Sequence, residues 1–171
     1  MVKKAIRTHF SDDVVWLVYC TSRYVSVTGD QSILDEMIPF LDGPKLHKDE
    51  VHSFFQPTYS GEQATLYDHC IRALERCVKT GQHGLPLMGS GDWNDGMNRV
   101  GEAGQGESIW LAWLIITTLK EFKNVSSRRD TGKSIIWDTQ IANLIAALEK
   151  DGWDGSWYRR EIGRASCRER V

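Results

Sequence analysis

Apolar residues return at helical spacing in three stretches of this chain. Leu66, Cys70, Ala73 and Cys77 recur at i, i+4, i+7 and i+11. Leu111, Leu114, Ile115, Thr118, Leu119 and Phe122 form a second stripe, and Ile141, Leu144, Ile145 and Leu148 a third. Such spacing gathers side chains on one helix face. It predicts helices over 61–79 and 107–123, and a last one that stops at Gly152. Near the start, Ser11-Asp12-Asp13 predicts a helix N-terminus, with Ser11 as N-cap and two acids where the helix dipole favours them. The run from Val14 to Val27 is apolar on most faces, so this helix is expected to be largely buried and to end at Gly29. Asp30 is then expected to cap a short helix through Ile33, Leu34 and Met37 that Pro39 ends.

Between 41 and 60 the pattern lapses. Gly43, Pro44 and Pro57 interrupt it, Phe54-Phe55 sit among polar residues, and a long loop is expected. A polar linker is expected over 124–133. Strand signals are scarce, and there is neither a heptad nor a short repeat. Helices alternating with loops imply an all-α architecture. Long loops on one side of paired helices suit a helical barrel better than a tight bundle.

Composition changes this picture little. The 171 residues suit one domain; 41% are hydrophobic and 26% charged, as in globular proteins. A formal charge of −2 gives no ground for nucleic acid or an anionic membrane surface as partner. No apolar run approaches the roughly 20 residues that span a bilayer, and the opening MVKKAIRTHF lacks the apolar core of a signal peptide. Cys20, Cys70, Cys77 and Cys167 form no CxxC pair, and a reducing, cytoplasmic setting is expected. Asn124-Val125-Ser126 fits a glycosylation acceptor, read here as chance.

The closing EIGRASCRERV differs from everything before it: it has no periodicity and three arginines. It resembles a translated sequencing adapter, one frame of which encodes Ile162 to Val171. On that reading residues 1–160 are the natural domain, 161–171 are foreign to it, and the parent protein is longer. Without Ile162 to Val171 the chain keeps 18 Lys and Arg against 22 Asp and Glu, a net charge of −4.

The candidate chemistry lies in HGLPLMGSGDWNDGMNR, His83 to Arg99. Gly84, Gly89, Gly91 and Gly96 let the backbone take conformations a side chain would forbid, and Asp92, Asn94, Asp95 and Asn98 supply polar groups beside them. Asn, Asp and Gly are also ordinary turn residues. Two features favour a site: Trp93 is a large stackable ring among acids, and the loop runs about 25 residues, a length that in compact domains is usually functional or disordered. The segment Asp92-Trp93-Asn94-Asp95-Gly96 has the look of an EF-hand start, but Gly96 stands where the third ligand should be.

GSGDWNDGMNRVG, with RTHFSDDVVWL, TGDQSILDEMIPFL, FFQPTYS, ATLYDHC, GEAGQGESIWLAW and DGWDGSWYRR, resembles the catalytic domain of glycoside hydrolase family 94. This is the family of cellobiose and chitobiose phosphorylases, and the likeness is greatest to the phosphorylase-like region of cyclic β-1,2-glucan synthases. It covers nearly all of Ile6 to Arg160. The resemblance implies a partial (α/α)6 barrel, and reversible inverting phosphorolysis of a β-linked sugar. Phosphate attacks the anomeric carbon while one carboxylic acid protonates the departing oxygen. Because phosphate is already a competent nucleophile, the second carboxylate that an inverting hydrolase uses to activate water has no task.

Carried over residue by residue, the resemblance makes Asp95 the general acid. A carboxyl that stays protonated near neutral pH needs a raised pKa, from apolar cover or a neighbouring carboxylate. Asp92 is implied beside it, with a turn-forming acceptor as the plainer role. Trp93 is implied at the wall of the sugar pocket, or else is a core residue. Arg7 and Asp13 match the pair that holds the sugar on the non-reducing side, and a salt bridge at the helix start is the alternative. Glu107 is a weaker substrate-binding candidate, beside Gln105, because an acid in a first turn commonly serves the dipole. His83 and His9 are weaker still.

No cofactor is implied beyond inorganic phosphate as co-substrate, and the implied partner is a β-glucan oligosaccharide. No membrane contact is expected of this segment, although the parent could be anchored in the inner membrane with this domain facing the cytoplasm. The family's phosphate-binding histidine and hydroxyl residues would follow Arg160. About half of the barrel's helices are expected to be missing as well, which leaves apolar faces without partners, so the 171 residues alone are expected to be inactive and prone to aggregate. The competing reading is a non-catalytic module that binds or scaffolds glucan.

Overall fold

The computed structural model describes residues 4–47, 50, 52–94, 97, 99–101, 103–127 and 129–163. Its elements run β1 (Ala5–Thr8), α1 (Asp13–Thr28), a 3-10 turn (Ser32–Asp35), β2 (Met37–Asp42), β3 (His52–Phe55), β4 (Thr58–Thr65) and α2 (Leu66–Cys77). After the central loop come β5 (Glu107–Ser108), α3 (Ile109–Ser126), α4 (Thr131–Ala147), a π-helical turn (Leu148–Gly152) and β6 (Glu161–Ile162).

The helix α3 is the hub, packing against α1 and α4, while α1 also packs on α2. Most of its expected stripe is buried, namely Leu111, Ile115, Thr118, Leu119 and Phe122, while Leu114 is half-buried and Ala112 and Ile116 are buried beside them. They join Val15 and Val18 of α1, Cys70, Ala73, Leu74 and Cys77 of α2, and Trp137, Ile141 and Leu144 of α4 in one core. Each large aliphatic side chain enclosed there stabilises by about 1.5–3 kcal/mol. The N-terminus of α2 is fixed by Thr65, whose hydroxyl accepts from the Asp68 N–H at 3.1 Å. At the far end of α1, Gly29 takes φ 74 and donates to the Val25 carbonyl, a left-handed stop that a glycine adopts without strain.

The sheets correct the all-α expectation. Three antiparallel pairs are present among the described residues: β1 with β3, β2 with β4, and β5 with β6. The expected short helix is present as the 3-10 turn Ser32–Asp35, but Met37 opens a strand instead of continuing it, and the expected loop over 41–60 contributes to three strands. Pro39 sits inside β2 opposite Gln63, next to an irregularity in register. Proline is tolerated on edge strands and at irregularities of the ladder, and both strands of a two-stranded sheet are edges. The first helix is also less enclosed than expected. Val15, Val18 and Val25 are buried, but Trp16, Leu17, Tyr24 and Val27 are exposed. The helices and small sheets are observed; closure into part of a barrel is not.

Residues 160–162, two of them within the proposed foreign tail, return to the middle of the chain. Ser108 pairs with Glu161 and Glu107 with Ile162, and the Ile109 N–H donates to the Arg160 carbonyl at 3.2 Å. Residues 164–171, most of the proposed foreign tail, lie outside the described residues.

Candidate functional site

The central loop is held at both edges by backbone pairing. Leu87 N–H donates to Lys79 O, Met88 N–H to Gly106 O and Ser108 N–H to Pro86 O. Ser90 N–H reaches His9 O at 3.1 Å, and Ser11 N–H reaches Gly91 O at 3.0 Å. These last two lash the loop to the segment leading into α1. Gly89 has φ 67, and a Cβ there would lie 2.3 Å from the His9 carbonyl oxygen. A Cβ on Gly101 would lie 1.7 Å from the Gly89 oxygen. Only glycine allows the chains to approach this closely.

Two adjacent residues of β5 fasten the loop from beneath. Successive strand side chains face opposite ways, and Glu107 and Ser108 use the two directions. Glu107, 1% exposed, accepts from the backbone N–H of His83 at 3.1 Å and of Leu85 at 3.0 Å, and lies against His83 Nδ1. Its carboxylate is occupied by protein donors, which places it behind the loop. Ser108 donates to Asp92 Oδ2 at 2.7 Å and accepts from the Leu111 N–H at 2.9 Å, so one hydroxyl both holds the loop and caps α3.

Asp92 is wholly buried. Besides Ser108 it receives the Arg160 guanidinium at two points, 2.5 Å to Oδ1 and 2.8 Å to Oδ2, and the Asn94 N–H at 3.2 Å. It combines the turn-acceptor role with a buried ion pair. Its neighbour Trp93 is 57% exposed, and so is not a core residue. The Trp93 ring centroid is 5.9 Å from that of Trp110, which is 6.4 Å from that of Trp16. The Arg160 guanidinium lies 6.0 Å from the Trp93 ring centre and 5.6 Å from that of Trp110. The result is a row of indoles supported by a cation, of the kind that can cover the apolar face of a sugar ring.

The other candidates are placed as follows. Asp95 lies outside the described residues. Arg7 donates to the carbonyls of Gly43 and Pro44 and lies over the Phe55 ring. Asp13 is exposed and accepts from the Thr8 hydroxyl at 2.9 Å. Among the described residues no ion pair joins Arg7 to Asp13. His9 contributes its backbone oxygen, and Gln105 is exposed. Ser11 does not cap α1; its hydroxyl donates to the Gly91 carbonyl.

Sequence reasoning passed over Asp12, Trp16, Ser108, Trp110 and Arg160. Asp12 is 4% exposed and accepts from the Trp16 indole N–H at 2.9 Å. Burial pushes its carboxyl above the ordinary aspartate range. The indole bond opposes this, and the charges of Asp13 and Asp92 add to the rise. Among the described residues no group of three His, Cys, Asp or Glu side chains could hold a metal ion, and no helix is long and apolar enough to cross a membrane.

This arrangement of helices, glycine-rich loop and indole row belongs to a family of carbohydrate-active enzymes. A sequence model of the glycosyl hydrolase 94 superfamily, catalytic domain, matches residues 2–167, and the chain is a member of that family. It is 46% identical over 157 residues to the cyclic beta-(1,2)-glucan synthase NdvB of Rhizobium meliloti (strain 1021), covering 91% of this chain and 6% of that protein. It is 32% identical over 161 residues to the N,N'-diacetylchitobiose phosphorylase of Vibrio proteolyticus, 92% of this chain and 17% of that one. With the solabiose phosphorylase of Paenibacillus borealis the identity is 29% over 152 residues, 87% of this chain and 17% of the enzyme. The chain thus spans a small part of the length of the relatives it matches.

Proposed function

We propose that this chain is part of an inverting β-glucan phosphorylase domain within a longer protein of the cyclic β-1,2-glucan synthase type. The observation that carries this reading is the placement of Trp93. The ring is exposed while its neighbour Asp92 is buried and fully bonded, so the loop presents an aromatic face two residues before Asp95. The similarity to a glucan synthase and to phosphorylases of β-linked disaccharides supports the substrate class.

In the proposed reaction a phosphate oxygen attacks the anomeric carbon from the face opposite the leaving group. The C–O bond to the departing sugar breaks as Asp95 gives that oxygen its proton. The products are an α-sugar 1-phosphate and a glucan one unit shorter. Trp93 covers the ring of the sugar at the scissile bond, and Arg7 and Asp13 are assigned to the non-reducing side. Phosphate is a co-substrate, and no cofactor enters. The linkage proposed is β-1,2.

The test is to give the full-length protein phosphate and β-1,2-gluco-oligosaccharides and to assay glucose 1-phosphate. Its release supports phosphorolysis; binding of the oligosaccharide without any phosphate-dependent product would favour a glucan-holding module instead.

A further inference from the structure

We propose that Arg160 is a positioning residue that sets the loop segment 88–94 bearing Trp93, by clamping Asp92 from a point 68 residues further along the chain. The inference rests on the phosphorylase reading only for its catalytic readout.

Three observations place Arg160 in this role. Its guanidinium grips both oxygens of the fully buried Asp92, with NH1 also 3.4 Å from the Ser108 hydroxyl. With Ser108 and the Asn94 N–H, these bonds occupy the acceptor sites a carboxylate offers. The same guanidinium lies against both Trp93 and Trp110, so one group fixes the buried acid and supports the exposed ring beside it. Its backbone is anchored too: the Arg160 carbonyl accepts from the Ile109 N–H at 3.2 Å. The loop position is therefore set by a distant planar cation as well as by its own turn.

The planar fork is the essential feature. A lysine keeps the charge but offers a single ammonium, which cannot bond both carboxylate oxygens in parallel as the guanidinium fork does. Removing one partner of a buried pair strands the other, whereas removing both charges relieves it.

The experiment compares full-length wild type, Arg160→Lys, and a charge-removing cycle of Arg160→Gln, Asp92→Asn and their double variant, by steady-state phosphorolysis and by amide hydrogen exchange over residues 88–94. Arg160→Lys is expected to lower kcat at least tenfold with a smaller change in KM, since the segment that Arg160 holds leads in sequence straight into the proposed acid. Exchange over 88–94 should quicken while that of α3 is unchanged. The double variant should be no slower than either single one. Unchanged exchange and kcat in Arg160→Lys, or losses that multiply in the double variant, overturn the proposal. If wild type yields no sugar phosphate yet Arg160→Lys loosens 88–94, the clamp stands and the phosphorylase reading falls. If wild type is active and the variant alters neither readout, the clamp alone falls.

Discussion

The Ser108 hydroxyl joins two parts of the molecule that are remote in sequence, donating to the buried Asp92 carboxylate and accepting from the Leu111 N–H that opens α3. Losing it uncaps a helix of the core and leaves a buried acceptor short of a donor. Ser108→Ala is expected to destabilise the protein by about 2–4 kcal/mol, as read from urea denaturation. A loss below about 0.5 kcal/mol, the ordinary effect of a surface change, would contradict this double role.

Glu107 is placed as a structural clamp, since its buried carboxylate serves the backbone N–H groups of His83 and Leu85. Glu107→Ala orphans both donors and should cost about 3 kcal/mol, with faster amide exchange at Leu85. A variant of full stability whose oligosaccharide affinity alone had fallen would return Glu107 to the substrate-binding role its sequence position suggested.

Asp12 supplies a pH dependence. Burial raises its folded pKa above the ordinary 3.8, so the folded state holds the proton more tightly than the unfolded chain. The stability this contributes is fully present below the unfolded value and is lost as pH rises through the folded one. Asp12→Asn keeps an oxygen for the Trp16 indole and has no charge to desolvate. The variant is expected to be more stable than wild type at pH 7, with the gain shrinking to nothing as pH falls below 3.8. Thermal denaturation across that range checks the sign; a gain that grew towards acid pH would refute it.

The cysteines differ in reactivity for the same reason. Burial pushes Cys70 up to about 11 and Cys77 up to about 12, whereas Cys20 is exposed. Since the thiolate is the reacting form, iodoacetamide at pH 8 should label Cys20 in the native protein and reach Cys70 and Cys77 only after unfolding. Peptide mass mapping before and after denaturant reads this directly.

The helices α2, α3 and α4 were legible in the sequence because each buries one continuous stripe, and burial imposes its period on the residues. The small sheets were not. The β2 strand buries neither face fully, so alternation is not enforced, and Pro39 argued against a strand that an edge position in fact tolerates. At the site, Trp93 and Asp92 stood out by local composition. Arg160 did not, because its partner lies 68 residues away and no periodicity links them. The signal available was an arginine closing an aromatic segment, DGWDGSWYRR. Asp12 and Asp13 looked interchangeable in sequence, and only the turn into α1 directs Asp12 inward towards Trp16 and leaves Asp13 at the surface.

The central claim, that Asp95 is the acid of a phosphorolytic reaction, is tested most directly by Asp95→Asn in the full-length protein. Release of glucose 1-phosphate from β-1,2-gluco-oligosaccharides and phosphate is expected to fall by roughly 10²–10⁴-fold. With a dinitrophenyl β-glucoside, whose leaving group needs no proton, the rate should be largely kept. An unchanged rate on the oligosaccharide, or an equal loss on both substrates, would contradict the assignment.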